Sequence, residues 1–406
     1  MTRFGASVER IDERIPGIDL PLLSVSQTRG IIRRTELTDR PQRAESLDAY
    51  KVCRAGDVVF NKMSIRSGAM GVASEDGLVT YHYEVMRPRP DTDPRFIVYL
   101  MKSAWFTEEL IRRERGIGAG DQAGVRTTEV PFSVLRTIEC FIPMGTEQSA
   151  IADVLDSETA RIDTLIEEQE RLIELLRERR RDLVRVAVLG HGSPFSLGAG
   201  AAAVGRHYSV TLGKMLDAGK GRRDGDQVLP YVRAANVQDS GLRLDDVNSM
   251  PYSASEAATL NLLRGDLVVV EGGAVGTCAV IEADMPGWSF QKTLNRVRAS
   301  GGGSTEWLAW VLRTYRDARV FDIICSGSTI PHLTAEKLRS LRIPNTPVVQ
   351  QIAIAERLRV RTSEIDELIA ETERFIALSL EHRSALITAA VTGQIDVRDP
   401  HPAEVV

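Results

Sequence analysis

The chain has 406 residues, of which 43% are hydrophobic and 26% charged, with a formal net charge of -5. That length exceeds what one hydrophobic core usually serves, so two or three domains are expected. No apolar run approaches about 18 residues and no basic-then-apolar leader opens the chain, which excludes a helical membrane span and a secretory signal and points to a cytoplasmic globular protein.

In chain order, residues 1–145 read as a mixed lobe with a short strand, "DVVFN" at 57–61, and a helix, "PRFIVYLMKSAWFTEELIRR" at 94–113. A Gly-rich segment follows, "RGIGAGDQAGVR" at 115–126. Residues 146–190 step apolar positions by three and four, the mark of a long amphipathic helix of roughly 65 Å at 1.5 Å per residue. Gly190 closes it, and the Gly/Ala/Ser stretch that ends at 206 has the composition of a flexible linker. Residues 207–345 form a second mixed lobe with a strand "DLVVVE" at 266–271 and a Gly/Ser loop "CSGSTIPHLT" at 325–334. A second long helix spans 346–393, marked by Pro344, Pro347 and Gly393, before a tail at 394–406.

The chain is written twice. At a constant offset of 203, Ile151, Ala152, Leu155, Ile162, Asp163, Leu165, Ile166, Glu170 and Ile173 recur as Ile354, Ala355, Leu358, Ile365, Asp366, Leu368, Ile369, Glu373 and Ile376. Upstream, "VLRTI" at 134–138 faces "KLRSL" at 337–341, "SGAMGVA" at 67–73 faces "GGAVGTC" at 272–278, and "RAGDVV" at 54–59 faces "LRGDLV" at 263–268. Two copies are too few for a solenoid. The expected fold class is therefore α+β: two pseudo-repeated lobes joined by two long helices that pair as an antiparallel coiled coil. Its seam is expected along Leu155, Ile162, Leu165, Leu172, Leu176 and Leu183, facing Leu358, Ile365, Leu368, Phe375 and Leu386, with Gln169 and Thr372 as polar interruptions.

Charge follows the same division. Residues 1–145 carry 21 Lys and Arg against 20 Asp and Glu, and 191–345 carry 17 against 15. The helical segments carry 7 against 11 and 6 against 10, so the acid lies in the helices and each lobe is free to present a basic face. Arg suits guanine edges and phosphates, and Asn or Gln suits adenine edges. The residues of this kind near the loops are Gln27, Arg29, Arg33, Arg34, Asn61, Lys62, Arg66 and Arg126 in the first lobe. In the second they are Arg222, Arg223, Arg233, Asn236, Gln291, Lys292 and Thr329.

No catalytic constellation accompanies them. "DAGKGRR" at 217–223 has the wrong spacing for a nucleotide phosphate loop, and no base-methylation motif, nuclease carboxylate cluster or hydrolase triad is present. Cys53, Cys140, Cys278 and Cys325 stand singly without C-x-x-C, and the histidines make no H-x-x-x-H, so neither a metal nor a cofactor is expected.

The segments "IPMGTEQSAIADVLDSETARIDTLIEEQERLIELL", "IPNTPVVQQIAIAERLRVRTSEIDELI" and "LITAAVTGQID" resemble the specificity subunit of type I restriction-modification enzymes. The resemblance implies two target-recognition domains, each reading one half of a bipartite double-stranded DNA sequence. It also implies a helix pair that acts as spacer and as docking surface for methyltransferase subunits, with a restriction subunit as a further partner and no catalysis or cofactor in this chain. That family usually begins a lobe with a segment like "HYSVTLGKMLDAGKGRR" at 207–223, for which residues 1–19 offer no evident counterpart. A scaffold whose coiled coil assembles other proteins without binding DNA is the alternative.

Overall fold

The computed structural model describes residues 1–38, 46–114, 130–197, 200–215, 224–325 and 331–396. They form two compact units, residues 1–170 with 373–406 and residues 171–372, so each long helix gives one half to each unit.

In the first unit a four-stranded antiparallel sheet runs in the order Val8–Ile11, Tyr83–Pro88, Val58–Asn61, Met70–Val72. Successive side chains on a strand point to opposite faces, and both faces are covered here. Val58 and Phe60 pack with Phe96, Ile97, Leu100 and Met101 of the helix Pro94–Lys102. Val59 and Val85 pack with Leu23, Cys53 and Val79 from two strand pairs, Leu23–Ser26 with Gly30–Arg33 and Lys51–Cys53 with Gly77–Val79. The helix expected over 94–113 is broken at Ser103, whose extended backbone ends the first segment while its hydroxyl accepts the Phe106 N–H that begins Ala104–Glu114.

The second unit repeats this plan. Its sheet runs Tyr208–Leu212, Leu294–Ala299, Leu267–Val270, Cys278–Val280, the same order of equivalent strands. The helix Thr305–Asp317 covers one face through Trp307, Leu308, Val311 and Leu312, and Tyr231, Val232, Tyr252 and Phe290 cover the other.

A buried carboxylate anchors each sheet. Asp57 receives the Arg87 guanidinium on both oxygens at 2.9 Å and the Arg54 N–H at 2.8 Å. Asp266 receives Arg298 at 2.6 and 2.7 Å and the Leu263 N–H at 2.8 Å. These are the aspartates of the matched "RAGDVV" and "LRGDLV".

Three further sequence expectations for the lobes and the linker change. The first lobe does carry the opening strand: Thr2–Arg3 pairs with Glu139–Cys140 and Val8–Ile11 with Tyr83–Pro88, as Ala201–Ala203 pairs with Arg342–Pro344 and Tyr208–Leu212 with Leu294–Ala299. Gly5 and Gly205 fix the equivalence, because a Cβ on either would lie 2.7 Å from Arg136 Cβ or 2.4 Å from Arg339 Cγ, side chains at matched positions. The strand Ala201–Ala203 also falls inside the stretch read as linker. Finally, Met70–Val72 corresponds to Cys278–Val280, so the match of "SGAMGVA" to "GGAVGTC" was out of register by three residues.

The long helices span Gly145–Leu189 and Val348–Val391, and the glycines that follow, Gly190 and Gly393, take positive φ of 61° and 74°. Within the first unit Ile151 and Leu155 share a core with Ile387, Ala390 and Val391, and within the second Val184 and Val188 share one with Ala355 and Leu358, an antiparallel arrangement in both. The seam differs from expectation in its second row. Ile162, Ile166 and Ile173 are 8%, 9% and 6% exposed, whereas Leu165 and Leu172 are 37% and 41% exposed. Leu368 and Phe375 face solvent likewise, at 50% and 42%. Leu155, Leu358 and Ile365 are buried as expected, and Leu176, Leu183 and Leu386 are half-buried. The true second row is Ala152, Thr159, Ile166 and Ile173, and the Thr159 hydroxyl donates to the Leu155 carbonyl at 2.6 Å and can therefore be buried. All four cysteines are buried, and burial pushes the Cys53 and Cys140 thiols up to about 12.

Candidate nucleic-acid interface

In the first lobe the hairpin Leu23–Ser26/Gly30–Arg33 leans on the turn that joins Val58–Asn61 to Met70–Val72. Gly71 permits the approach, since a Cβ there would stand 2.9 Å from Gly30 Cα. Gln27 at the hairpin tip donates from Nε2 to Ser67 Oγ at 3.0 Å, which brings it to the turn that carries Asn61, Lys62 and Arg66. Asn61 Oδ1 accepts the Met63 N–H at 3.0 Å and shapes that turn. Arg29 pairs with Glu36 at 2.8 Å, and Arg33 grips Glu75 through two bonds of 2.7 and 2.6 Å. Those pairs are exposed and screened by solvent, so either guanidinium can be drawn to a phosphate at small cost. Arg34 is half-buried at the start of the short helix Arg34–Leu37. Arg126 lies outside the described residues.

The second lobe separates its candidates more sharply. Arg233 pairs with Asp246. Asn236 is only 3% exposed; its Oδ1 accepts the Arg233 N–H at 3.0 Å and its Nδ2 donates to the Arg243 and Asp246 carbonyls at 2.9 and 2.8 Å. With the amide saturated by its own loop, Asn236 shapes the surface and has no free edge for a base. Gln291 and Lys292 lie in a turn stitched to neighbouring segments by Gln291 N–H to the Val232 carbonyl at 2.9 Å and Lys292 N–H to the Lys214 carbonyl at 2.8 Å. Lys292 is exposed there. Arg222, Arg223 and Thr329 lie outside the described residues, as do the Gly-rich segment at 115–126 and residues 326–330 of the loop at 325–334.

Two groups beside this turn were not found in the sequence. Lys214 donates to Glu256 at 2.6 Å and to the Pro251 carbonyl at 2.8 Å, above the Tyr252 ring at 5.0 Å. Glu271 ends the strand Leu267–Val270; burial raises its carboxyl pKa, against the opposing pull of His332 and Lys292. A carboxylate kept partly desolvated at a lobe surface is a candidate acceptor for a base amino group. The terminal Glu of "DLVVVE" was the available signal.

A cleft of about 1150 Å³ in the second unit lies between the lobe and the helix pair. Five arginines line it against five carboxylates, with Arg316 paired to Asp239 at 2.5 Å and Arg180 to Asp366 at 2.8 Å, so its lining carries no net positive charge to draw an anion. Among the described residues no cluster of three or more His, Cys, Asp or Glu is placed to hold a metal ion, and no helix is long and apolar enough to cross a membrane.

No protein-family model matches the chain. The specificity subunit of the type I restriction enzyme EcoBI from Escherichia coli is 31% identical over 74 residues, 18% of this chain and 16% of that protein. A solved chain from structural work on complex assembly and conformational transition of the type I R-M system is similar over 97% of both chains, with a TM-score of 0.74 and 16% identity. The crystal structure of the HsdS subunit from Thermoanaerobacter tengcongensis is similar over 97% of this chain and 96% of its own, with a TM-score of 0.58 and 16% identity. The chain thus has the fold of the type I specificity subunits over nearly its whole length.

Proposed function

We propose that this chain is the specificity subunit of a type I restriction-modification complex: a non-catalytic, sequence-specific DNA-binding protein whose two lobes each read one half of a bipartite duplex target. The duplicated lobe-and-helix plan, at a TM-score of 0.74 over 97% of both chains, carries this reading. Methyltransferase subunits, and a restriction subunit where one exists, supply the chemistry. Exposed apolar residues on the helices support docking. The first unit presents Leu165, Phe375 and Leu378 to solvent, and the second presents their duplicated equivalents Leu368, Leu172 and Leu175. Two like faces suit two copies of one partner.

Co-expression with a type I methyltransferase subunit, followed by sequencing of methylated DNA, tests the proposal. A two-part motif with an unread spacer is expected, together with duplex binding by the complex that weakens steeply with salt. Absence of a motif and salt-independent binding would leave only the scaffold reading.

A further inference from the structure

We infer that Gln148 and Gln351 are positioning residues that fix each lobe's angle to its own pair of helix halves. They are matched at the offset of 203, each the fourth residue of its long helix, and each is only 2% exposed. Gln148 Oε1 accepts the N–H of Asp93 at 3.0 Å while its Nε2 donates to the Pro143 carbonyl at 2.8 Å. Gln351 Oε1 accepts the N–H of Ser304 at 2.8 Å while its Nε2 donates to the Thr346 carbonyl at 2.7 Å.

Asp93 and Ser304 are the N-caps of the helices that back the two sheets, Pro94–Lys102 and Thr305–Asp317. In an ordinary capping box the third helical residue accepts the N-cap N–H, but here that residue is Phe96 or Trp307, which cannot accept it. The long helix supplies the acceptor instead. One amide therefore ties the start of the lobe helix to the chain entering the long helix, in both units. The surrounding bonds differ. Tyr208 adds a hydroxyl to Gln351 in the second unit, where the matched Val8 of the first has none. In the first unit Arg95 bridges Asp93 to Asp153 and Asp156. The amide is the element common to both joints.

The consequence for DNA rests on the proposed function. An added base pair moves a half-site by about 3.4 Å along the duplex and about 35° around it, so a lobe free to tilt would tolerate spacers that a fixed lobe rejects.

The experiment measures the angle directly and needs no DNA. Glu108→Cys on the lobe and Arg161→Cys on the long helix are both exposed, both in the first unit, and the native cysteines are buried, so spin labels can be placed there in the full-length chain. Gln148→Leu should broaden the label-to-label distance distribution at least twofold. Gln148→Glu should give the narrow distribution near pH 4, below the ordinary glutamate pKa, where the protonated acid still donates and accepts, and the broad one near pH 8, where a carboxylate faces the Pro143 carbonyl. A distribution for Gln148→Leu as narrow as the parent's, or no pH dependence for Gln148→Glu, would overturn the inference. Should Gln148→Leu fail to fold, the pH series on Gln148→Glu decides alone. In methylation sequencing Gln148→Leu should accept spacers one base pair longer or shorter at 10-fold or more above the parent frequency, with both half-sites unchanged. If the parent yields no two-part motif, the functional reading fails while the distance measurement still judges the joint.

Discussion

Arg180 on the first long helix pairs with Asp366 on the second at 2.8 Å, and the same pair recurs with the helices exchanged, Arg383 with Asp163 at 2.9 Å. Each unit thus holds one of two ion pairs related by the internal duplication. All four side chains are partly exposed, so each pair contributes about 0–1 kcal/mol, and its larger effect is on register, since a shifted antiparallel pairing would leave like charges facing. Arg180→Asp should destabilise the second unit by about 1 kcal/mol, and Arg180→Asp with Asp366→Arg should restore most of that loss. Thermal unfolding of the two single variants and the swap gives the coupling as a double-mutant cycle. Failure of the swap to recover stability would show that the pair does not set register.

The corrected seam separates stability from docking. Ile162→Asp buries an unpaired carboxylate among apolar neighbours and should cost several kcal/mol, read as a large fall in melting temperature. Leu165→Asp, three residues on, points to solvent and should change stability by roughly 0.5 kcal/mol or less. It should instead weaken capture of the methyltransferase subunit in co-purification, and Leu368→Asp should do so equally at the matched face. Wild-type capture by both surface variants would remove these faces from the partner interface.

How much of this was legible in the sequence follows from where identity persists. The helices align without a gap because a two-helix packing constrains every turn, so Asp163 and Asp366 could be matched on sight. The choice between Leu165 and Ile166 could not, because both are apolar and the deciding row runs through Thr159 and Arg180, which look like surface residues. In the lobes, Asp57 and Asp266 kept their "GD" since each is a buried carboxylate held by a partly exposed arginine and a backbone N–H. The glycine-rich turns slipped by three residues because glycine repeats match one another in several registers. Asn236 was selected for its chemistry as a reader; only its contacts reveal that the amide is consumed by its own loop.

Glu271 gives a pH test. Burial raises its folded pKa above the ordinary 4.5, so the native state holds a proton that the unfolded state has lost. Stability from this group is therefore full below about 4.5, falls as pH rises towards the folded value, and stays lower above it. Glu271→Gln removes that cost and should melt higher than the parent near pH 7 while matching it near pH 3. Asp93 and Asp239 run the opposite way. Burial raises each, but bonds from Arg95, its N–H and Ser149 to the first, and from Arg316 to the second, outweigh it and leave both pKa values lowered. Their contribution is present above 3.8 and lost as pH falls through the depressed values. A variant Glu271→Gln that is less stable than the parent at neutral pH would contradict the desolvation argument.

Exchange of a whole lobe tests the division of reading between the copies. The second lobe starts at the strand Ala201–Ala203 and ends at its partner Arg342–Pro344, so a replacement of residues 201–344 keeps that pairing inside the transplanted piece. A cut at 207 would separate the two strands. With the donor lobe taken from a protein of the same fold but different target, the chimera should retain the half-site read by residues 1–145 and acquire the donor's second half-site. Each mismatch at a base pair costs about 1–3 kcal/mol and distant positions add, so the old second half-site should be disfavoured by several kcal/mol in competition binding. Spacer length should stay as in the parent, because both long helices and Gln148 are untouched and the donor lobe meets Gln351 through the same N-cap N–H. Methylation sequencing of cells that express the chimera with its methyltransferase reads all three features at once. A first half-site altered along with the second would show that the lobes do not read independently.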